Sequence, residues 1–359
     1  MSDRVLAVLA DARAEAEASN GPVAREVGGL HFRVAPSGAR NGFRYRLDTG
    51  DGGEVWLVKQ SADARQWNLF ASVKSFALLR HHYAGVKERL LERQAQLEAT
   101  VLDARPNRVD FACDLDAPGF EPEPECFIQP PWTRVRSYHP GDGSREGERV
   151  EVHRLARRVN GIMIGRMPGR QLCVYDKRAD SLLKRKLYWP VVWGLDLAQH
   201  RDPVWRVEVR AARDEIKRRW RVRSFRELES RLLDVVLSSL AKVRYVIPSF
   251  RDSNASRWPT HPLWEAAERY MRDAIEAHAF APAPSRNDLP TPRLIKLDEF
   301  RRQLIGLAAG YGVLAGLTEE QAGDLPGLVA ATIRDYARDR PGALEDKLAH
   351  ARARYGVIG

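Results

Sequence analysis

The chain has 359 residues, of which 44% are hydrophobic and 30% charged, the balance of a globular protein with room for roughly two or three domains. Lysine and arginine outnumber aspartate and glutamate by 58 to 48, a formal charge of +10 that suits a polyanionic partner. No apolar run approaches the ~20 residues a membrane-crossing helix needs, and Met1-Ser2-Asp3-Arg4 lacks the regions of a signal peptide, so a cytoplasmic protein without membrane association is expected. Cys113, Cys126 and Cys173 are too few and too scattered for a disulfide framework or a zinc site.

Asp3 to Ala18, rich in alanine and glutamate without a strong apolar stripe, predicts a peripheral helix. Leu30 to Val34, Gly42 to Leu47 and Glu54 to Gln60 alternate apolar with polar residues between Gly, Asp and Asn, the pattern of an antiparallel meander. Trp67 to Val73 predicts another strand, and Phe76 to Ala99 a helix whose apolar side holds Leu79, Tyr83, Val86, Leu90 and Leu91. Together they make a first domain, residues 1–100, expected to contact DNA.

The next strand-like run places Arg108, Asp110, Ala112 and Asp114 on one face and Val109, Phe111, Cys113 and Leu115 on the other. Aspartates four apart on a strand are about 13 Å from each other, so one metal ion takes both only if the strand twists or a neighbour intervenes. Asp110 is the stronger ligand candidate; a salt bridge to Arg108 or Arg206 is the plainer alternative. Pro118 to Gly147, rich in Pro, Gly and charge, reads as a surface excursion. Strand patterning returns at Arg149 to His153, Gly161 to Gly165 and Gln171 to Lys177, with Met167-Pro168-Gly169 as a turn. Tyr175 shares a face with Gln171, Cys173 and Lys177. In Trp205 to Arg210, Arg206, Glu208 and Arg210 face away from Val207 and Val209.

Ala211 to Arg219 suggests a short helix, and Ser224-x-x-Glu227 is a capping box opening a longer one with Leu228, Leu232, Val235, Val236 and Leu240 on its apolar side. Leu263 to Ala279 is a further amphipathic helix, closing a catalytic domain at 101–280. Four prolines between Pro282 and Pro292 mark a linker. Leu294 to Leu317, a run capped by Thr318 with Gln321, and Gly342 to Tyr355 predict a C-terminal helical domain, residues 294–359. The fold class is α+β, an antiparallel sheet core covered by helices.

Carboxylate oxygens from neighbouring strands suit Mg²⁺ or Mn²⁺, which makes Asp110, Asp114 and Glu208 the metal candidates. A tyrosine with the ordinary pKa near 10 is a poor nucleophile, so Tyr175 needs a polarised phosphate and a cation such as Lys177; otherwise it is a half-buried structural residue. Arg170 and Arg206 are placed to clamp a phosphorane or to pair with Asp110 or Asp114. Tyr188 is the second nucleophile candidate. Arg178, Lys184, Arg185 and Lys186 lie among Tyr188, Trp189, Trp193, Trp205 and Trp220, a mixture that holds phosphates and stacks on bases; a solvated helix face over core tryptophans is the bland alternative. No Gly-x-x-x-x-Gly-Lys-[Ser/Thr] loop is present, so unwinding falls to a separate host helicase.

The ordered series Arg-x-Asp-x-x-x-Asp (Arg108 to Asp114), aliphatic-Tyr-[Asp/Asn]-Lys (Val174 to Lys177) and Trp-Arg-Val-Glu before a helix (Trp205 to Glu208) resembles the replication initiation factors. These comprise rolling-circle initiators of small plasmids, relaxases of some integrative conjugative elements and replication proteins of some phages. The resemblance covers about the middle third of the chain and neither end. It implies a DNA nickase acting at a replication or transfer origin, with Tyr175 as nucleophile leaving a 5′-phosphotyrosine and a free 3′-hydroxyl, and carboxylate metal ligands. The histidine-hydrophobic-histidine motif of other rolling-circle nickases is absent. A relaxase, a DNA-binding regulator without catalysis and a metal nuclease using water are the alternatives, and a homodimer stays open.

Overall fold

The computed structural model describes all residues except 62, 64, 65, 130–132, 135–149, 156, 198, 250, 278 and 356–359. Alternation through the first hundred positions gives β1 (Val23–Val27), β2 (Leu30–Val34), β3 (Tyr45–Asp48), β4 (Glu54–Val58) and β5 (Leu69–Val73), an antiparallel sheet in sequence order. Its apolar face buries Val27, Leu30, Phe32, Val34, Tyr45, Leu47, Trp56 and Val58. The expectation of a peripheral first helix is corrected: α1 (Asp3–Ala18) buries Val5, Leu9, Ala12 and Ala16 completely, the first three in the same core. The stripe is there at helical spacing, half of it written in alanine. α2 (Ser75–Gln96) is broken at His82 (φ 55°), and Phe76, Ala77 and Val86 are buried while Leu91 stands exposed.

The second sheet is built from β6 (Arg108–Asp116), β9 (Val150–Leu155), β10 (Arg158–Gly165), β11 (Arg170–Asp176) and β12 (Val204–Ala212), in the order β6-β12-β11-β10-β9 and antiparallel throughout. Between β6 and β9 lie β7 (Phe127–Gln129) and β8 (Thr133–Arg134), which join β13 (Arg244–Tyr245) in a small sheet. The predicted surface excursion therefore contains buried strand residues, Phe127 and Ile128 among them; its portion from 135 to 147 lies outside the described residues. α3 (Lys177–Leu183) and α4 (Tyr188–Trp193) follow β11. The predicted helix after Glu208 is a continued strand to Ala212 and then one π-helical turn, Asp214–Arg219.

One face of this sheet carries Cys113, Ile162, Ile164, Leu172, Val174, Trp205, Val207, Val209 and Ala211, packed under α5 (Phe225–Lys242) and α6 (Pro262–Ala277). Ser224 caps α5 by accepting from Glu227 N at 3.2 Å. α5 contributes Leu228, Leu232, Val235, Val236 and Leu240, and α6 contributes Leu263, Trp264, Ala267, Met271 and Ile275. With that face filled by apolar side chains, strand geometry turns every alternate residue to the other side.

α7 (Pro292–Leu314), α8 (Leu325–Asp339) and α9 (Ala343–Tyr355) complete the α+β architecture. The chain divides into two compact units, one formed by Met1–Thr100 with Pro282–Gly359 and the other by Val101–Ala281. No helix among the described residues is long and apolar enough to cross a membrane.

Candidate functional site

Antiparallel register settles which polar residues of the second sheet meet. On β11 and β12, Tyr175 is paired with Arg206, Cys173 with Glu208 and Gln171 with Arg210; on β12 and β6, Arg206 is paired with Asp114 and Arg210 with Asp110. All are on the side opposite the apolar core. On β10 the same side holds Gly161 opposite Tyr175, where a Cβ would come within 3.0 Å of the Tyr175 Cβ.

Tyr175 Oη donates to Glu208 Oε2 at 2.9 Å, and Arg210 Nη2 donates to the same oxygen at 2.9 Å. Glu208 is 8% exposed. Burial works to raise its pKa, but Arg210, the Tyr175 hydroxyl and Arg206 together hold it below the ordinary carboxylate value. Burial and the charge of Glu208 push the Tyr175 hydroxyl far above the ordinary tyrosine value, against the pull of Arg206. The hydroxyl is therefore neutral at physiological pH, and Glu208 is the proton acceptor within reach.

Arg206 and Asp114 form a bidentate pair, Nε to Oδ1 at 2.6 Å and Nη2 to Oδ2 at 2.7 Å. Trp193 Nε1 donates to Asp114 Oδ2 at 2.9 Å, and the Arg206 guanidinium lies 4.1 Å from the centroid of the Trp189 ring. Burial pulls the Arg206 pKa down, yet the hydrogen bonds and charge of Asp114 carry it above its ordinary value.

Lys177 is where β11 turns into α3. Asp176 caps that helix by accepting from Ala179 N at 3.0 Å, and the turn folds Lys177 back so that its ammonium lies 5.6 Å from the Tyr175 ring centroid and 5.3 Å from that of Trp189. Lys177 is 5% exposed. Burial and Arg206 lower its pKa, against Asp180, which accepts from its Nζ at 2.6 Å. The other oxygen of Asp180 holds Lys184 at 2.5 Å. Lys186 is close enough to act on the charge of Lys177. Lys184 and Arg185 are exposed, Lys186 and Arg178 half-buried.

Two sequence expectations change. Arg170 is not part of this group: five residues before Tyr175 on one strand, it faces the other way and donates from Nη1 to Ser239 O of α5 at 3.3 Å. Tyr188 is buried in α4 with its ring against Trp189, 5.7 Å between centroids, and comes from a helix and not from a strand of the sheet. The metal candidates divide. Asp114 is engaged by Arg206 and Trp193. Asp110, in a bidentate pair with Arg108 at 2.6 and 2.7 Å, and Glu208 stand diagonally across β6 and β12 on one face. Among the described residues no three of His, Cys, Asp and Glu gather where they could hold an ion. Two carboxylates with waters and a phosphate oxygen nonetheless form a donor set typical of Mg²⁺.

Asp180 and the Trp189/Trp193 pair come from helices, so strand patterning alone misses them. Cys173, beside Glu208, is no competing nucleophile, because burial pushes its thiol up to about 12.

No family model matches the chain, and no curated protein matches it. Among solved structures, a rolling circle replication initiator protein from Geobacillus stearothermophilus is similar at 13% identity and a TM-score of 0.37, over 70% of this chain and 84% of that one. A likeness of that strength says nothing about activity.

Proposed function

We propose that this protein is a DNA strand transferase that nicks one strand at a replication or transfer origin by forming a 5′-phosphotyrosine at Tyr175. The observation that carries the proposal is the hydrogen bond from Tyr175 Oη to the buried carboxylate of Glu208, set among Arg206, Arg210 and Lys177. In the step proposed, the Tyr175 Oη–phosphorus bond forms as the bond from phosphorus to the 3′-oxygen breaks. Glu208 takes the tyrosine proton, and the leaving 3′-oxygen takes up one proton from solvent as the free strand end departs, ending as a 3′-hydroxyl. Arg206 and Lys177 face the charge that builds on the phosphorane, in a setting from which burial excludes water.

Asp110 and Glu208 are the residues that would hold Mg²⁺ or Mn²⁺. Such an ion, when bound, polarises the scissile phosphate. Arg178, Lys184, Arg185 and Lys186, next to Lys177, supply phosphate contacts along the approach. Rolling-circle initiation on a plasmid or phage and mobilisation of an integrated element share this chemistry, with unwinding left to a host helicase.

Incubation with supercoiled DNA carrying the parent element's origin, with Mg²⁺ or Mn²⁺, tests the proposal. A nicked product covalently linked to protein is expected. Nicked DNA without linkage would point to a nuclease using water, and binding without nicking to a regulator.

A further inference from the structure

Arg206 has little freedom to move. Two of its nitrogens are bonded to Asp114, and its guanidinium stacks on Trp189. Asp114 in turn accepts the indole N–H of Trp193. Both tryptophans come from α4 four residues apart, the spacing that aligns side chains on one side of a helix, and their rings stack with centroids 5.8 Å apart and planes 25° apart. One short helix thus supplies a ring against the guanidinium and a donor that fixes its carboxylate. Asp114, already taking three hydrogen bonds on two oxygens, has little capacity left for a cation.

We propose that Asp114 serves as a positioning residue and not as a metal ligand: with Trp193 and Trp189 it holds the Arg206 guanidinium opposite Tyr175, where charge develops on the phosphate. This rests on the reading of Tyr175 as nucleophile. A preorganised guanidinium stabilises a phosphorane without having to be reoriented during the reaction, and a bidentate carboxylate fixes both its plane and its direction.

Two measurements test it. In the free protein, exchange of the Arg206 Nε–H with solvent, its NMR signal assigned by its absence in Arg206→Lys, should be slow and should accelerate about tenfold in Asp114→Asn, the loss of one charge-assisted hydrogen bond. In single-turnover assays on the origin-bearing supercoiled DNA, Asp114→Asn should lower the saturating rate of adduct formation by about tenfold or more while the half-saturating Mn²⁺ concentration stays the same. Trp193→Phe, which removes the N–H and keeps an aromatic ring, should move both readouts in the same direction by a smaller factor, and it keeps the test available if Asp114→Asn does not fold. Unchanged exchange would overturn the clamp. A raised half-saturating Mn²⁺ concentration, with the rate recovered at high Mn²⁺, would make Asp114 a ligand and overturn the proposal. A wild-type protein that forms no adduct would sink the tyrosine reading and the catalytic half of this one, while the exchange measurement would still decide the clamp.

Discussion

The two five-stranded antiparallel sheets of this molecule use strand alternation for different ends. In β1 to β4 it separates a buried apolar face from a solvated one, apart from Glu54, which is fully buried with Arg89 Nη2 at 3.5 Å and Thr49 Oγ1 at 3.1 Å from its carboxylate. In β12 the second face is covered as well, and with half-buried Tyr175 of β11 and Asp114 of β6 what it covers is ionic, while Arg108 and Asp110 of β6 stay exposed. Simple alternation would leave every second residue of β12 open to solvent, yet from Val204 to Ala212 all but Arg210 are buried. Taking charges out of water is costly unless each finds a partner, and apolar packing of similar volume serves stability as well or better. An ionic face as buried as that of β12 is therefore not explained by stability, whereas the first sheet buries mainly apolar side chains, with Glu54 as its one buried carboxylate among the described residues.

The two sheets should part most visibly at Arg206 and Leu47. Arg206→Ala strands Asp114 in a covered site and should cost about 3–5 kcal/mol in denaturant unfolding, with adduct formation lost as well. Leu47→Ala, in the core of the first sheet, should cost about 2–5 kcal/mol by leaving a cavity, while the folded fraction keeps its full rate of adduct formation. Equal reductions in adduct for the two variants, normalised to folded protein, would erase the distinction.

Lys184, Arg185 and Lys186 stand between α3 and α4, next to the ionic face. Neutralising Lys184, Arg185 and Lys186 together should weaken DNA binding irrespective of sequence and reduce the slope of log K against log salt by up to about 3, roughly 0.9 for each phosphate that is no longer neutralised. An unchanged slope would show that these residues do not touch the backbone.

The smallest effect is expected at Asp180. Burial works against its charge, but Lys177 and Lys184 outweigh burial and hold its carboxyl below the ordinary value. A folded-state pKa below the unfolded one means stabilisation that is complete above the ordinary aspartate value and is lost as pH falls through the folded one. Asp180→Asn should thus be less stable than wild type at neutral pH, and thermal unfolding curves of the two should converge as the pH drops below about 4. A gap that persists into acid would mean that packing, and not charge, makes the difference.

Much of the second sheet was legible from period-two patterning. The three runs that carry Asp110, Tyr175 and Glu208 form strands, and their polar faces fall on one side as the alternation implies. Parity also held the correction for Arg170: an odd separation from Tyr175 on one strand means opposite faces. What alternation does not contain is the neighbour relation β6-β12-β11, which brings Arg206 to Asp114 across 92 positions, nor the hydrogen bond from Trp193 to Asp114, which crosses 79. Trp189 and Trp193 read in the sequence only as aromatics among basic residues, with nothing to say that one short helix would aim both at the Arg206–Asp114 pair. Strands as short as β7 and β8, three and two residues long, offer too few alternations to stand out, and the buried side of α1 escaped because alanine marks a close helix packing as readily as an exposed helix surface.

The proposed chemistry turns on Tyr175 making the covalent bond to DNA. Replacing it with phenylalanine removes only the hydroxyl that donates to Glu208. With the origin-bearing supercoiled DNA and Mn²⁺, the Tyr175→Phe protein should fold and bind DNA like wild type yet give neither nicked product nor protein-linked strand, whereas Tyr188→Phe should give both. A protein–DNA adduct that persists in Tyr175→Phe and vanishes in Tyr188→Phe would contradict the account.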